Sequence, residues 1–386
     1  MHSTPASPPT SQLIPTAVVH QLRLGKGVSR VDLARRLGIA PSTIGIHVDR
    51  LVARGYLRQS RATAGLTGRP PTALELNPQA GQFIGIDLDA RQIMCSCVDL
   101  AQQPLGERTC KLRAGDSAEN VVNRICELTD EVRDPARPLL GIGVAVPGSV
   151  DVDRGLALHY RYIRGWKEIP LSERLQQHCG VPVHLENNVR AMALAERWFG
   201  SGRDVDDFVC MGIRSGIGSG IFLNGQLYRG PQQLAGEIGS WPHAASGQTL
   251  EEAASLRAIL RQLASAVGQG ATSSIKVTRG TVTLPSLKRA IEQGDALTLD
   301  VIHRAATAIA AALVPITLLL NPSRIIVAGP LASLGGSFTQ PLVAATQSQL
   351  PDFHATLPEI VMSQLGDFVG ALGAAALAVN QWQPSP

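Results

Sequence analysis

The sequence predicts an α/β protein in two unequal parts, a small N-terminal winged helix-turn-helix and a larger body of two similar lobes around a cleft. Three observations predict it. Residues 1–71 hold ten Lys or Arg against two acids, a net of +8, whereas residues 72–386 hold 25 against 29, a net of −4. The first 55 positions show helical periodicity punctuated by start and stop residues, and a Gly- and Arg-containing hairpin follows. From Phe83 onward, strand-turn-strand units lead into helices, and the arrangement occurs twice.

Composition sets the outer limits. With 386 residues, 44% of them hydrophobic and 17% charged, the chain has room for two or three domains at roughly 100–200 residues each. The same figures exclude a largely disordered, collagen-like or disulfide-stapled protein. The longest apolar run, at 305–320, is interrupted by Pro315 and falls short of the roughly 20 residues that a spanning helix needs, so no membrane partner is expected. The N-terminus has no basic-plus-apolar signal segment, and the expected address is the cytoplasm, at the nucleoid. Six cysteines are scattered without the spacing of a zinc site or a redox pair; Cys95 and Cys97 read as small core residues on one strand face.

Along the head, the first ten residues lack hydrophobic period and read as disordered, with order beginning near Ser11. Ile14, Val18, Val19 and Leu22 recur at helical spacing until Gly25 and Gly27 break the pattern. Ser29 can cap a short helix ending at Leu37, and Gly38 marks a turn. Pro41, whose missing N–H costs nothing at a helix start, opens a third helix to about Ala53, with Ile44, Val48 and Leu51 inward and Gly55 as its stop. In this geometry the third helix enters the major groove, which leaves Ser42, Thr43, Ile46, His47 and Arg50 to face bases or phosphates. Arg69, beside Pro70 and Pro71, is positioned for a minor groove, the other reading being a stiff linker. Local positive charge is what phosphate neutralisation requires, so double-stranded DNA is the expected partner; a helical hairpin used only for packing is the alternative.

In the body, strands are expected at 83–89, 93–100 and 139–151, with a helix at 118–132 among them. Another strand at 181–188 leads into a helix ending at Gly200. A second strand set at 207–213 and 218–228 is followed by helices, a strand at 323–329 and an Ala-rich helix at 368–380. The expected boundaries are 1–75 for the head, 76–196 for the first lobe with segment 367–386 packing back on it, and 197–366 for the second lobe.

Several segments together resemble the ROK family of repressors, open reading frames and sugar kinases. They are GIGVAVPGSVD at 141–151, GW at 165–166 with PL at 170–171, LENNVRAMALAE at 185–196, RSGIGSGIFLNGQLYRG at 214–230, LAGEIG at 234–239, LEEAAS at 250–255 and NPSRIIVAG at 321–329. The resemblance covers nearly the whole chain and implies an actin-like, two-lobed fold of the sugar kinase/Hsp70 type. Three departures from the family's kinases agree with one another. Where similar kinases have a DxGGTK-type phosphate turn, this chain has Asp87-Leu88-Asp89-Ala90-Arg91-Gln92, and an acidic side chain there repels a triphosphate, so no nucleotide cofactor is expected. Where the kinase motif END supplies a general base, this chain has Asn188, and loss of such a base costs about 10²- to 10⁴-fold. Where the family's GExGH and CxCGxxGC segments bind zinc, this chain has Gly236-Glu237-Ile238-Gly239-Ser240 and no cysteine at 241–249, so no metal is expected.

The resemblance also implies a sugar site. Glu237 and Glu251 match the family's sugar-contacting carboxylates, Asn187 and Asn188 offer amide donors and acceptors, and Gly148 lets backbone approach a ligand. Together these features imply a sugar-responsive transcriptional regulator, acting as a homodimer or tetramer on a DNA operator, with a sugar or phosphosugar effector and a catalytically silent body. An active ATP-dependent sugar kinase with a DNA-binding head, and a constitutive DNA-binding protein with a vestigial sensor, are the alternatives.

Overall fold

Local signals build the head. The computed structural model describes residues 13–25, 28–61, 72–89, 91–113, 115–160, 162–243, 245–351 and 358–384. Helix α1 (Ile14–Leu24) is followed by α2 (Arg30–Leu37), whose Ser29 cap and Asp32 complete a reciprocal capping box. Gly38 closes α2 in the left-handed conformation, donating to the Ala34 carbonyl. Pro41 opens α3 (Pro41–Ala53), which an Arg30–Asp49 ion pair at 2.5 Å ties to α2. Strands β1 (Leu57–Arg61) and β2 (Thr72–Leu76) pair antiparallel as the wing. The first ten positions, Ala90, and the wing segment 62–71 with Arg69 lie outside the described residues.

The first lobe is built on β3 (Gln82–Leu88), β4 (Gln92–Asp99), β5 (Pro104–Lys111), β6 (Leu139–Val146) and, later in the chain, β10 (Val183–Asn187). Helix α4 (Ala118–Val132) covers one face. A small sheet of β7 (Ser149–Asp151), β8 (Leu156–His159) and β9 (Lys167–Ile169) and helix α5 (Leu171–Cys179) lie between β6 and β10, and α6 (Asn188–Phe199) follows. The sheet order is β10-β6-β3-β4-β5, with β10, β6 and β3 parallel.

The second lobe repeats the plan. Its strands are β11 (Phe208–Ile213), β12 (Ile217–Leu223) and β13 (Gln226–Tyr228), then a small hairpin of β14 (Pro242–His243) and β15 (Gln248–Thr249). Helices α7 (Leu250–Ala254), α8 (Leu256–Gly268), α9 (Leu284–Glu292) and α10 (Ala296–Leu320) lead to β16 (Arg324–Ala328), α11 (Gly336–Gln349) and β17 (Glu359–Met362). The order β13-β12-β11-β16-β17 matches the first lobe, an antiparallel meander extended by two parallel strands.

One expectation is corrected here. The apolar run at 305–320 is not broken by Pro315 but belongs to the continuous 25-residue α10. Proline removes the bond to the carbonyl four residues back, and Ala311 lies on the exposed side, where solvent can satisfy it. By length and composition α10 could cross a membrane, yet 61% of its apolar window is buried, with Ile302, Ile309, Leu313 and Ile316 in the lobe's core.

Finally α12 (Val369–Gln381) crosses back onto β3, β6 and α6. Its fit depends on absent side chains: a Cβ on Gly85 would stand 1.9 Å from the Ala371 carbonyl oxygen, and one on Gly143 1.8 Å from that of Ala374. The head's apolar cluster does not end at the head. Val18, Leu33, Ile44, Val48 and Leu74 are continuous with Phe83, Val98, Leu100, Ala375, Ala378 and Val379.

Candidate ligand cavity and DNA-facing helix

Between the lobes lies a cavity of about 500 Å³. All five residues expected to hold a sugar, Gly148, Asn187, Asn188, Glu237 and Glu251, line it. The first lobe positions its share through the end of β6 and the start of α6. Gly148 has φ +75°, and a Cβ there would meet the His159 carbonyl oxygen at 2.3 Å, so only glycine fits this turn. Asn187 is the N-cap of α6: its Oδ1 accepts from the Val189 and Arg190 amides at 2.9 and 3.3 Å, and its Nδ2 donates to the Gly148 carbonyl at 3.1 Å. Asn187 therefore fixes the cavity wall, and Asn188, one position on, presents an amide to the cavity.

Glu186, just before the α6 cap, is closed off from the cavity. Its carboxylate is fully buried, accepting from Arg190 Nε at 2.6 Å, the Asn187 amide at 2.8 Å and Arg229 Nε at 2.7 Å. Two guanidiniums occupy both of its oxygens, and its burial leaves no space for an incoming hydroxyl.

The second lobe brings Arg214, Glu237 and Glu251. Arg214 grips the buried Asp87 across the lobes at 2.7 and 3.0 Å, and Ser215 Oγ donates to Asp89 at 2.9 Å. Burial pushes the Asp87 carboxyl up and Arg214 pulls it back; burial alone would lower Arg214, but Asp87 and Asp89 outweigh it, so the guanidinium stays charged. Arg214 is therefore engaged with Asp87 rather than open to an anion. Glu251 accepts from the Ile217 amide at 3.3 Å and packs against Gly216, within the glycine-rich turn that resembles a phosphate loop. Burial raises the pKa of Glu237, Arg190 opposes the shift and the nearby Glu251 adds to it.

The nucleotide and the zinc that the family resemblance implies do not fit these residues. Asp89 stands at the first phosphate turn and Glu251 occupies an amide of the second. At the zinc position Ser240 lies in a single 3₁₀ turn, and His243 Nδ1 sits 2.8 Å from Ser246 Oγ with no thiolate in this stretch of sequence.

Sequence reasoning missed the wall made by the small β7–β9 sheet. His159, Tyr160 and Tyr162 line the cavity from it; the two tyrosine rings meet edge to face at 5.3 Å, and Arg257 of α8 lies 4.7 Å over Tyr162, bridging the lobes at the rim. The short apolar run Leu156-Ala157-Leu158 before His159 and Tyr160 was the available signal.

On α3, Ser42, Ile46 and Arg50 are exposed and Thr43 is partly so. His47 is corrected: it is only 8% exposed, because it lies on the same helix face as Ile44, Val48 and Leu51, and burial lowers its pKa.

The profile described as "ROK family" matches residues 83–381. The chain belongs to the ROK family. A "Putative xylose repressor" of Caldicellulosiruptor sp. (strain Rt8B.4) is 25% identical over 380 residues, covering 93% of each chain. A "Glucokinase" of Thermotoga maritima is 30% identical over 309 residues, covering 77% of this chain and 96% of its own length. A solved ROK family transcriptional regulator, a homologue of the E. coli MLC protein, superposes with a TM-score of 0.80 over 96% of both chains at 24% identity and shares the fold. This ROK chain therefore resembles regulators over its whole length and kinases over its body.

Proposed function

We propose that this ROK protein is a sugar-responsive, DNA-binding transcriptional regulator whose body is catalytically silent. One observation above all supports it: a basic winged head is docked on the far end of the same helix whose first turn lines the cavity. Asn187 caps α6 in the cavity, and eleven positions on Trp198 meets His20 of α1, ring centroids 5.4 Å apart at 87°. Twelve residues of helix span about 18 Å. Alongside, α12 ends at the head, where Arg23 donates to the Val379 carbonyl at 2.7 Å and Trp382 meets Tyr56 at 5.1 Å and Phe83 at 5.9 Å.

The chemistry needed for phosphoryl transfer is missing at the same site. The Asn188 amide is too weak a base to take a hydroxyl proton, Glu186 is locked by two arginines, and carboxylates occupy both phosphate turns. A sugar held by Glu237, Glu251 and Asn188 would instead favour one closure of the lobes. Rigid α6 and α12 would pass that choice to the head as a population shift. Ser42, Thr43, Ile46 and Arg50, together with Arg69, would supply the DNA contacts. Two heads must engage half-sites at a fixed helical-turn spacing, so the working unit is a homodimer, measurable by light scattering.

The test uses full-length protein and DNA that it selects from a random pool. Fluorescence anisotropy is followed with hexoses and pentoses, xylose included because one relative carries the name of a xylose repressor. A sugar that changes DNA affinity supports the reading. Coupled ADP release with Mg-ATP and any of these sugars contradicts the silent body.

A further inference from the structure

Helix α3 carries a large apolar side chain on the side that faces away from its own core. Ile44, Val48 and Leu51 mark the buried side, and at about 100° per residue Ile46 stands opposite them, at the centre of the outer face. It is 54% exposed. The rest of that face is mostly polar: Ser42 and Arg50 lie one turn before and after Ile46, with Thr43 and Asp49 about 60° to either side. Arg30 of α2 holds Asp49 at 2.5 Å, which offsets the repulsion of that acid toward a phosphate backbone.

Gly45, the neighbouring position, points the same way. Glycine inside a helix is less stable than alanine, because it loses more backbone freedom on folding. The fold does not demand it here: among the described residues outside the helix backbone, a Cβ on Gly45 would have one neighbour, Arg30 Nη1 at 4.0 Å. A bare backbone beside an outward apolar side chain suits close approach to a surface outside the chain.

Resting on the DNA-binding reading above, we propose that Ile46 reads the 5-methyl group of a thymine in the major groove, and that Gly45 lets α3 seat deeply enough to reach it. Of the four bases, thymine alone adds a methyl group to the major-groove edge; the other groups displayed there are hydrogen-bond donors and acceptors. An isoleucine pressed against those would strip them of water and return no bond. Each half-site therefore carries a thymine under Ile46, while Ser42, Thr43 and Arg50 face the neighbouring base edges and phosphates.

The experiment uses the full-length protein and the DNA that it selects from a random pool. Each thymine of that DNA is replaced singly by deoxyuridine, which removes the methyl group alone, and affinity is read by fluorescence anisotropy. At one position per half-site the replacement should weaken binding about three- to tenfold. Ile46→Val should keep that penalty, whereas Ile46→Ser should shrink it to less than about twofold and leave the penalties at other thymines as they were. Both variants should melt with the parent protein, since the side chain is exposed. Gly45→Ala should raise the melting temperature of the head yet weaken DNA binding severalfold, an opposition that a purely structural glycine would not produce. A site with no thymine whose methyl matters, a methyl penalty that persists in Ile46→Ser, or a Gly45→Ala protein that binds as tightly as the parent overturns the inference and leaves the regulator reading standing. If no DNA sequence is selected at all, the DNA-binding reading falls and takes this inference with it.

Discussion

At its N-terminal end α6 meets the cavity with its first turn held by directional bonds. Asn187 caps two amides and the Gly148 turn, while Glu186 is held between Arg190 and Arg229. At its C-terminal end the same helix meets the head through a Trp198 ring against His20. Beside that contact, Arg23 is partly buried with a single hydrogen bond, to Val379, and its buried Nε and Nη2 have no partner among the described residues. Burial lowers its pKa to about 9. The contrast shows where movement is cheap: hydrogen-bonded charge networks hold one geometry, whereas aromatic contacts around an under-satisfied guanidinium can be exchanged for solvent at small net cost. The cavity end senses, and the head end yields.

The largest expected effect breaks the rigid end. Arg190→Met leaves Glu186 buried with one guanidinium fewer and should destabilise the fold by about 3–5 kcal/mol, read as a lower midpoint in urea titration. An unchanged midpoint would show that the network contributes little. Trp382→Ala removes the ring between Tyr56 and Phe83 and should cost about 2–3 kcal/mol, expressed as an early thermal transition of the head with the body's transition retained. One cooperative transition at a lower temperature would mean that head and body do not separate.

A smaller effect sharpens the contrast from the other side. Arg23→Met removes an under-satisfied buried charge and should leave the melting temperature unchanged or raise it, by about 1 kcal/mol in stability. A marked loss would show that the guanidinium anchors the head. The smallest effect is pH dependence. Burial lowers the pKa of His20 from 6.5, with Arg23 and Arg197 adding to the shift. The docked state thus prefers neutral His20, and its contribution is full above pH 6.5 and is lost as pH falls through 6.5 toward the lower, docked value. His20→Gln should flatten that part of the profile, measured as head melting between pH 5 and 8.

How much of this was legible in the sequence depended on how local its cause was. Gly25, Ser29, Gly38, Pro41 and Gly55 act within a turn or two, and the three head helices fall where those residues place them. The edge strand β5 was missed because its half-exposed Gly-Glu-Arg-Thr run has no apolar alternation. Pro315 misled because a proline can lie inside a helix whose freed carbonyl reaches solvent. His47 shares its face with Ile44 and Leu51, a spacing visible in the sequence but subordinated to its hydrogen-bonding chemistry. The sugar-site carboxylates came from family resemblance, while Asn187's cap and Glu251's bond to Ile217 are tertiary facts. Arg23 is the extreme case, bonded to a carbonyl 356 positions away.

Hydrogen exchange of the full-length protein, with and without the sugar that binds best, tests the central claim most directly. The account predicts altered protection at the cavity turns around Gly148 and Glu251 and, in the same experiment, along α1 and the end of α12. Protection confined to the cavity, in a protein whose DNA affinity nevertheless responds to that sugar, would contradict it.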